Sequence, residues 1–103
     1  MAQYMPPGSA PQPKVLKTGS ITVGTTATQG PNVQVAPGRE VSLYCPTSNT
    51  ASVFVGDSTV STTTGLEIEP GGGALVAVDN LNKLYFISTA TGQTVKYAVE
   101  AMA

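Results

Sequence analysis

The sequence predicts an all-β chain: one antiparallel β-sandwich, jelly-roll-like or Ig-like, of about 7–8 short strands behind an extended Pro-rich arm. Three observations carry this. Short runs rich in Val, Ile, Thr and Tyr recur between turn residues. No long stretch keeps the i, i+3, i+4 apolar spacing of a helix without a Gly or Pro interruption. Gly, Pro, Thr and Ser together fill 41 of the 103 positions, which suits strands and turns and starves helices.

Residues 1–13 form the arm. Pro6, Pro7, Pro11 and Pro13 each remove a backbone donor and fix φ, favouring an extended, polyproline-like segment. Its candidate partner-binding residues are Tyr4, Met5, Pro6 and Pro7, which would order against a neighbouring subunit or another partner. The sandwich domain occupies residues 14–103.

Strands are predicted over 15–23, 32–36, 40–45, 52–55, 66–69, 74–78, 84–88 and 93–100. The last alternates most clearly: Val95, Tyr97 and Val99 face one side, Thr94, Lys96, Ala98 and Glu100 the other. Val41, Leu43 and Cys45 line one face of another strand, making Cys45 a small core residue rather than a nucleophile. Pro37-Gly38 and Pro70-Gly71 suit the centre of type II turns, where Pro presets φ and Gly takes a positive φ. The pattern apolar-x-Pro-Gly-x-x-apolar occurs at both, 33 residues apart, and suggests a duplicated hairpin. Leu81-Asn82-Lys83 suits a single helical turn.

Composition excludes several functions. The formal net charge is −1 and the five basic residues are scattered, whereas nucleic-acid affinity needs clustered Lys and Arg. No apolar run approaches the roughly 20 residues of a membrane-spanning helix, and the N-terminus lacks the basic and apolar regions of a secretory signal. A single cysteine allows no internal disulfide and fits a reducing compartment. Without histidine, zinc, copper and iron lose their usual ligands, and no calcium-loop motif is present, so neither metal nor cofactor is expected.

Catalytic constellations are missing too. Ser–His and Cys–His chemistry require histidine, and no S-x-x-K spacing occurs. Glu67 and Glu69 share a strand face and read as solvated residues beside buried Leu66 and Ile68. Gly71-Gly72-Gly73 is followed by no Gly-Lys-Ser/Thr and reads as a hairpin loop rather than a phosphate cradle. Thr59-Val60-Ser61-Thr62-Thr63-Thr64 is a hydroxyl-rich edge strand or exposed loop. The chain is therefore expected to be no enzyme.

Two strings add a resemblance. Val53-Phe54-Val55-Gly56-Asp57-Ser58-Thr59-Val60-Ser61, followed by Gly65-Leu66-Glu67-Ile68-Glu69-Pro70-Gly71, resembles small virion structural proteins of tailed bacteriophages. So does Leu84-Tyr85-Phe86-Ile87-Ser88 followed by Thr91-Gly92-Gln93-Thr94-Val95-Lys96-Tyr97. The resemblance spans roughly residues 35–100 and leaves the arm outside it. It implies a β-sandwich of the capsid decoration (cement) or head-fibre type, made in the host bacterial cytoplasm and attached to the virion surface. The implied partners are the major capsid protein and further copies of the chain, as a homotrimer, with no nucleic acid and no membrane. A tail, adaptor or head-fibre subunit is the alternative within that resemblance. A carbohydrate- or cell-surface-binding module is the alternative outside it, weakened by the absence of Trp.

Overall fold

A computed structural model describes residues 14–102 of the chain. It contains eight strands: β1 Lys14–Val23, β2 Thr28–Gln29, β3 Val41–Tyr44, β4 Val53–Gly56, β5 Leu66–Ile68, β6 Gly73–Val76, β7 Tyr85–Ser88 and β8 Gln93–Met102. One 3-10 turn, Leu81–Lys83, is capped by the Asn80 side chain accepting from Asn82 N, as the sequence suggested for that tripeptide.

The strands form two four-stranded antiparallel sheets, ordered β1-β8-β3-β6 and β2-β7-β4-β5. The pairs β1·β8, β2·β7, β3·β6 and β4·β5 are nested about the β4–β5 hairpin. That nesting is the jelly-roll arrangement, two Greek keys wrapped into a double sheet. It decides between the two sandwich types predicted. Only the β4–β5 connection stays within a sheet; every other link crosses to the opposite one.

The core lies between the sheets and follows the period-two alternation. Val41 and Leu43 of β3, Val53 and Val55 of β4, Phe86 of β7, and Val95 and Val99 of β8 are all buried and belong to one cluster. Burying each such side chain contributes about 1.5–3 kcal/mol. Cys45 is fully buried in the same cluster, where the sequence put it.

Both Pro-Gly turns form as predicted. Arg39 N donates to Ala36 O at 3.1 Å and Gly72 N to Glu69 O at 2.8 Å, with Gly38 at φ +76° and Gly71 at φ +83°. The predicted hairpin duplication does not. The second turn leads from β5 in one sheet to β6 in the other, and the first follows an irregular segment, so neither joins paired strands. For the same reason Gly71-Gly72-Gly73 is a sheet-crossing turn rather than a hairpin loop.

The predicted strand over 32–36 is also corrected. Gln34 makes an isolated bridge to Asn80, Val35 N donates to Asp79 O, and Ala36 N donates to Glu100 O. Pro31 and Pro37 flank the segment, and its backbone groups are shared between two neighbours, so no regular ladder develops. Leu66, expected to be buried, is 54% exposed because it sits at the end of the edge strand β5. The two-residue β2 was too short to show a period.

The Thr-rich run is a loop with one buried anchor. Val60 is 8% exposed, and a Cβ at Gly65 would lie 2.7 Å from Cβ of Phe54. The loop therefore closes over the outer face of the second sheet at Phe54. Ser61 Oγ accepts from the backbone N–H of Thr63 and of Thr64, and Ser61 O accepts from Gly65 N, so the run satisfies its own polar groups.

Candidate interaction surface

The first sheet presents a different outer face. Register places Thr18, Ala98, Ser42 and Leu75 on one rung across β1, β8, β3 and β6. The next rung carries Ser20, Lys96, Tyr44 and Gly73, and on the other side Leu16 stands opposite Glu100. Every one of these residues has the parity opposite to the buried Val41, Leu43, Val95 and Val99, so all point outward. Leu16 is 68% exposed, Leu75 65% and Tyr44 44%. No described element covers them.

The charges on this face are few. Lys14, Lys96 and Glu100 share its outward parity, and Arg39 Nε sits 2.9 Å from Glu100 Oε2. That contact is an ion pair without hydrogen-bond alignment, and both side chains are about half exposed. It contributes at most about 1 kcal/mol. The face is thus a mostly neutral stripe of hydroxyls and large apolar side chains.

A second feature is concave. A cleft of about 820 Å³ lies between the Pro37-Gly38 turn and the Ala77–Asn80 segment, beside Val35 and Val78. Its lining includes the Asp79–Lys83 ion pair at 3.2 Å and Arg39, whose own partner is Glu100. Glu40 also lines the cleft and makes no ion pair among the described residues, and no nucleophile–base pair converges there.

The remaining candidate groups are accounted for structurally. Burial pushes the Cys45 thiol above its usual range, partly opposed by the Val53 backbone and the Asn49 side chain. A buried protonated thiol is a poor nucleophile. Glu67 and Glu69 are both exposed, as expected. Gly71 N and Gly72 N already donate to Cys45 O and Glu69 O, leaving no open nest for a phosphate. Among the described residues no group of three His, Cys, Asp or Glu side chains could hold a metal ion. No helix of the described residues is long and apolar enough to cross a membrane.

Tyr4, Met5, Pro6 and Pro7 lie outside the described residues. Leu16, Tyr44 and Leu75 were not foreseen as surface residues. A signal was present: Val15-Leu16, Leu43-Tyr44 and Leu75-Val76 are adjacent apolar pairs on strands with one buried face, so one member of each has to face outward.

No family model and no curated protein matches this chain. Among solved structures, the IMPa metallopeptidase from Pseudomonas aeruginosa is similar over 90% of this chain, with a TM-score of 0.44 and 21% identity. The chain spans 13% of that protein's length. A match of that quality carries no argument about function.

Proposed function

We propose that the chain is a non-enzymatic bacteriophage capsid decoration protein, a homotrimer that binds and stabilises the lattice of the major capsid protein. The observation that carries the reading is the exposed outer face of the first sheet, with Leu16, Tyr44 and Leu75 in solvent on a nearly neutral surface. A contact made through such a face depends on apolar burial and loses little at high salt. The resemblance of residues 53–71 and 84–97 to small tailed-phage virion proteins supplies the partner class. Self-association gives a further way to shelter the edges of two small sheets.

The test adds purified protein to capsids lacking it and counts bound copies per particle. Hundreds of copies and a native mass near three times 10.5 kDa support the reading. About a dozen copies or fewer assign it to the neck or tail, and no attachment overturns it.

A further inference from the structure

We propose that β1 of one copy pairs with β6 of the next, so that the first sheets join edge to edge and close on a three-fold axis. The proposal rests on the self-association part of the proposed function and needs no capsid.

β1 and β6 are the two ends of their sheet, and each has one free side. The phase of the ladder decides which backbone groups face it. Ala36 N donates to Glu100 O and Asn49 Nδ2 donates to Thr94 O, so the even residues of β8 bond toward β3. Its odd residues therefore bond the odd residues of β1. The N–H and C=O groups of Leu16, Thr18, Ser20 and Thr22 are left turned to the open edge. At the other end, Cys45 N donates to Gly72 O and Cys45 O accepts from Gly71 N, so β3 bonds β6 through its own odd residues. Gly73 and Leu75 then present their backbone groups to the second open edge. Among the described residues no further backbone hydrogen bond reaches either row. β1 contains no proline, and its register with β8 runs without a bulge from Lys14 to Val23, so it lacks two of the devices that blunt an edge.

The two edges complement one another. Neighbouring strands of the sheet are all antiparallel, so β1 and β6 run in opposite directions. Copies rotated about an axis along the strands thus meet as an antiparallel pair. Leu16 and Leu75, 68% and 65% exposed, sit one on each edge, on the same outer face and in the two edge-facing rows. Setting them opposite one another also sets Val15, 40% exposed, against Val76 of the next copy, and Lys17 against Ala74. Lys14 then falls opposite Ala77, and one residue beyond Val41 the β3–β6 register places Glu40 beside that alanine. Neither Lys14 nor Glu40 makes an ion pair among the described residues. Two strand spacings separate their backbones by about 10 Å, a gap that a lysine and a glutamate side chain span over a residue as small as alanine.

Like edges match less well. β1 against itself gathers Lys14 and Lys17 of both copies on one ladder with no carboxylate to answer them. The β1–β6 junction gains about six backbone hydrogen bonds, within the range of ordinary interfaces. A head-to-tail contact of this kind makes a ring where its rotation closes and a filament where it does not.

The test uses full-length chains substituted at exposed positions. Sedimentation should show a trimer for the parent chain. Leu16→Lys and Leu75→Lys should each weaken it by about tenfold or more, with the β-sheet circular dichroism spectrum unchanged. Leu16→Lys together with Leu75→Glu in one chain should recover most of that loss, since every junction then opposes a lysine to a glutamate. A chain carrying Leu16→Cys and Leu75→Cys should oxidise to a covalent trimer on a non-reducing gel, because hydrogen-bonded pairs stand about 5.5 Å apart and Cys45 is buried. Either single cysteine variant should stay uncoupled. Disulfide dimers of Leu16→Cys alone would show β1 paired with itself and overturn the proposal. A parent chain that stays monomeric at every concentration, an open filament, or no recovery by the lysine–glutamate pair also overturns it. A trimer linked in this way that fails to attach to capsids leaves the junction standing and removes the decoration reading, and attachment without the junction does the reverse.

Discussion

The side chain of Gln93 offers the sharpest test of how this fold is held. It is 3% exposed at the start of β8. Its Oε1 accepts from Thr50 N at 2.9 Å and Ala51 N at 3.0 Å. Its Nε2 donates to Thr50 Oγ1 and Thr91 O, both at 3.0 Å. One amide thus fastens the crossing from β3 to β4 onto the strand it passes. Gln93→Met keeps the length and flexibility of the side chain and removes all four bonds. Two backbone N–H groups then lose their acceptor, at about 1–3 kcal/mol each where they stay buried. Thr50 is exposed and Ala51 half-buried, so water recovers part of the loss. The expected destabilisation is about 2–4 kcal/mol, a large part of the roughly 5–15 kcal/mol available to a domain.

Urea denaturation reads this as a lowered midpoint at constant slope. Hydrogen exchange adds a local readout: the Thr50 and Ala51 amides should exchange much faster in the variant, while those of β4 and β7 track the global change. A loss below about 1 kcal/mol, or unchanged exchange at Thr50 and Ala51, refutes the claim that this amide anchors the crossing.

Three further outcomes follow from the same geometry. Gly38→Ala should cost about 1–2 kcal/mol from left-handed backbone alone, since nothing lies within 4 Å of its new Cβ; a neutral denaturation midpoint would remove the type II turn. Cys45 should resist thiol reagents until global unfolding, and because its folded pKa is raised, its share of stability is present below about pH 8.5 and lost as pH rises further. Rapid labelling of the native protein would contradict that burial. The Thr59 hydroxyl and N–H hold the Asp57 carboxyl below its usual range, so its contribution is present above roughly pH 4 and lost as pH falls through the folded value. Asp57→Asn should flatten that acidic limb of the stability curve, and an unchanged limb would show that the Thr59 contacts do not persist in solution.

The strands legible in the sequence are those whose own residues decide their faces. β3 and β8 alternate cleanly because one side meets the core and the other meets water, and their partners only confirm the choice. The two Pro-Gly turns were legible because local backbone preference sets their geometry. What those turns connect was not, because β5 to β6 is a crossing between sheets and that depends on pairings far away in the chain. Segment 32–36 has strand composition, yet its bonding partners are Asp79, Asn80 and Glu100, which no local pattern reveals. The chosen site residues sat in the arm. The exposed face was written in adjacent apolar pairs, and its meaning emerged only once the register put Leu75, Ser42, Ala98 and Thr18 on one rung.

The outer faces of the two sheets then separate fold from function. Both obey the same alternation, and both carry apolar side chains outward: Phe54, Tyr85 and Ile87 on the second sheet, Leu16, Tyr44 and Leu75 on the first. On the second sheet the loop anchored by Val60 comes against Phe54 at Gly65, and Phe54, Tyr85 and Ile87 are all half-buried. On the first sheet no described segment does so. The sandwich does not require leucine there, because Ser42, Thr18 and Ser20 occupy equivalent outward positions. Exposed apolar residues scattered singly are ordinary, whereas here they flank one neutral rung spanning all four strands. Side chains left in water forgo about 1.5–3 kcal/mol each of available burial. Leu16, Tyr44 and Leu75 thus hold apolar area that the described residues leave in solvent, and that area is what the proposed contact would bury.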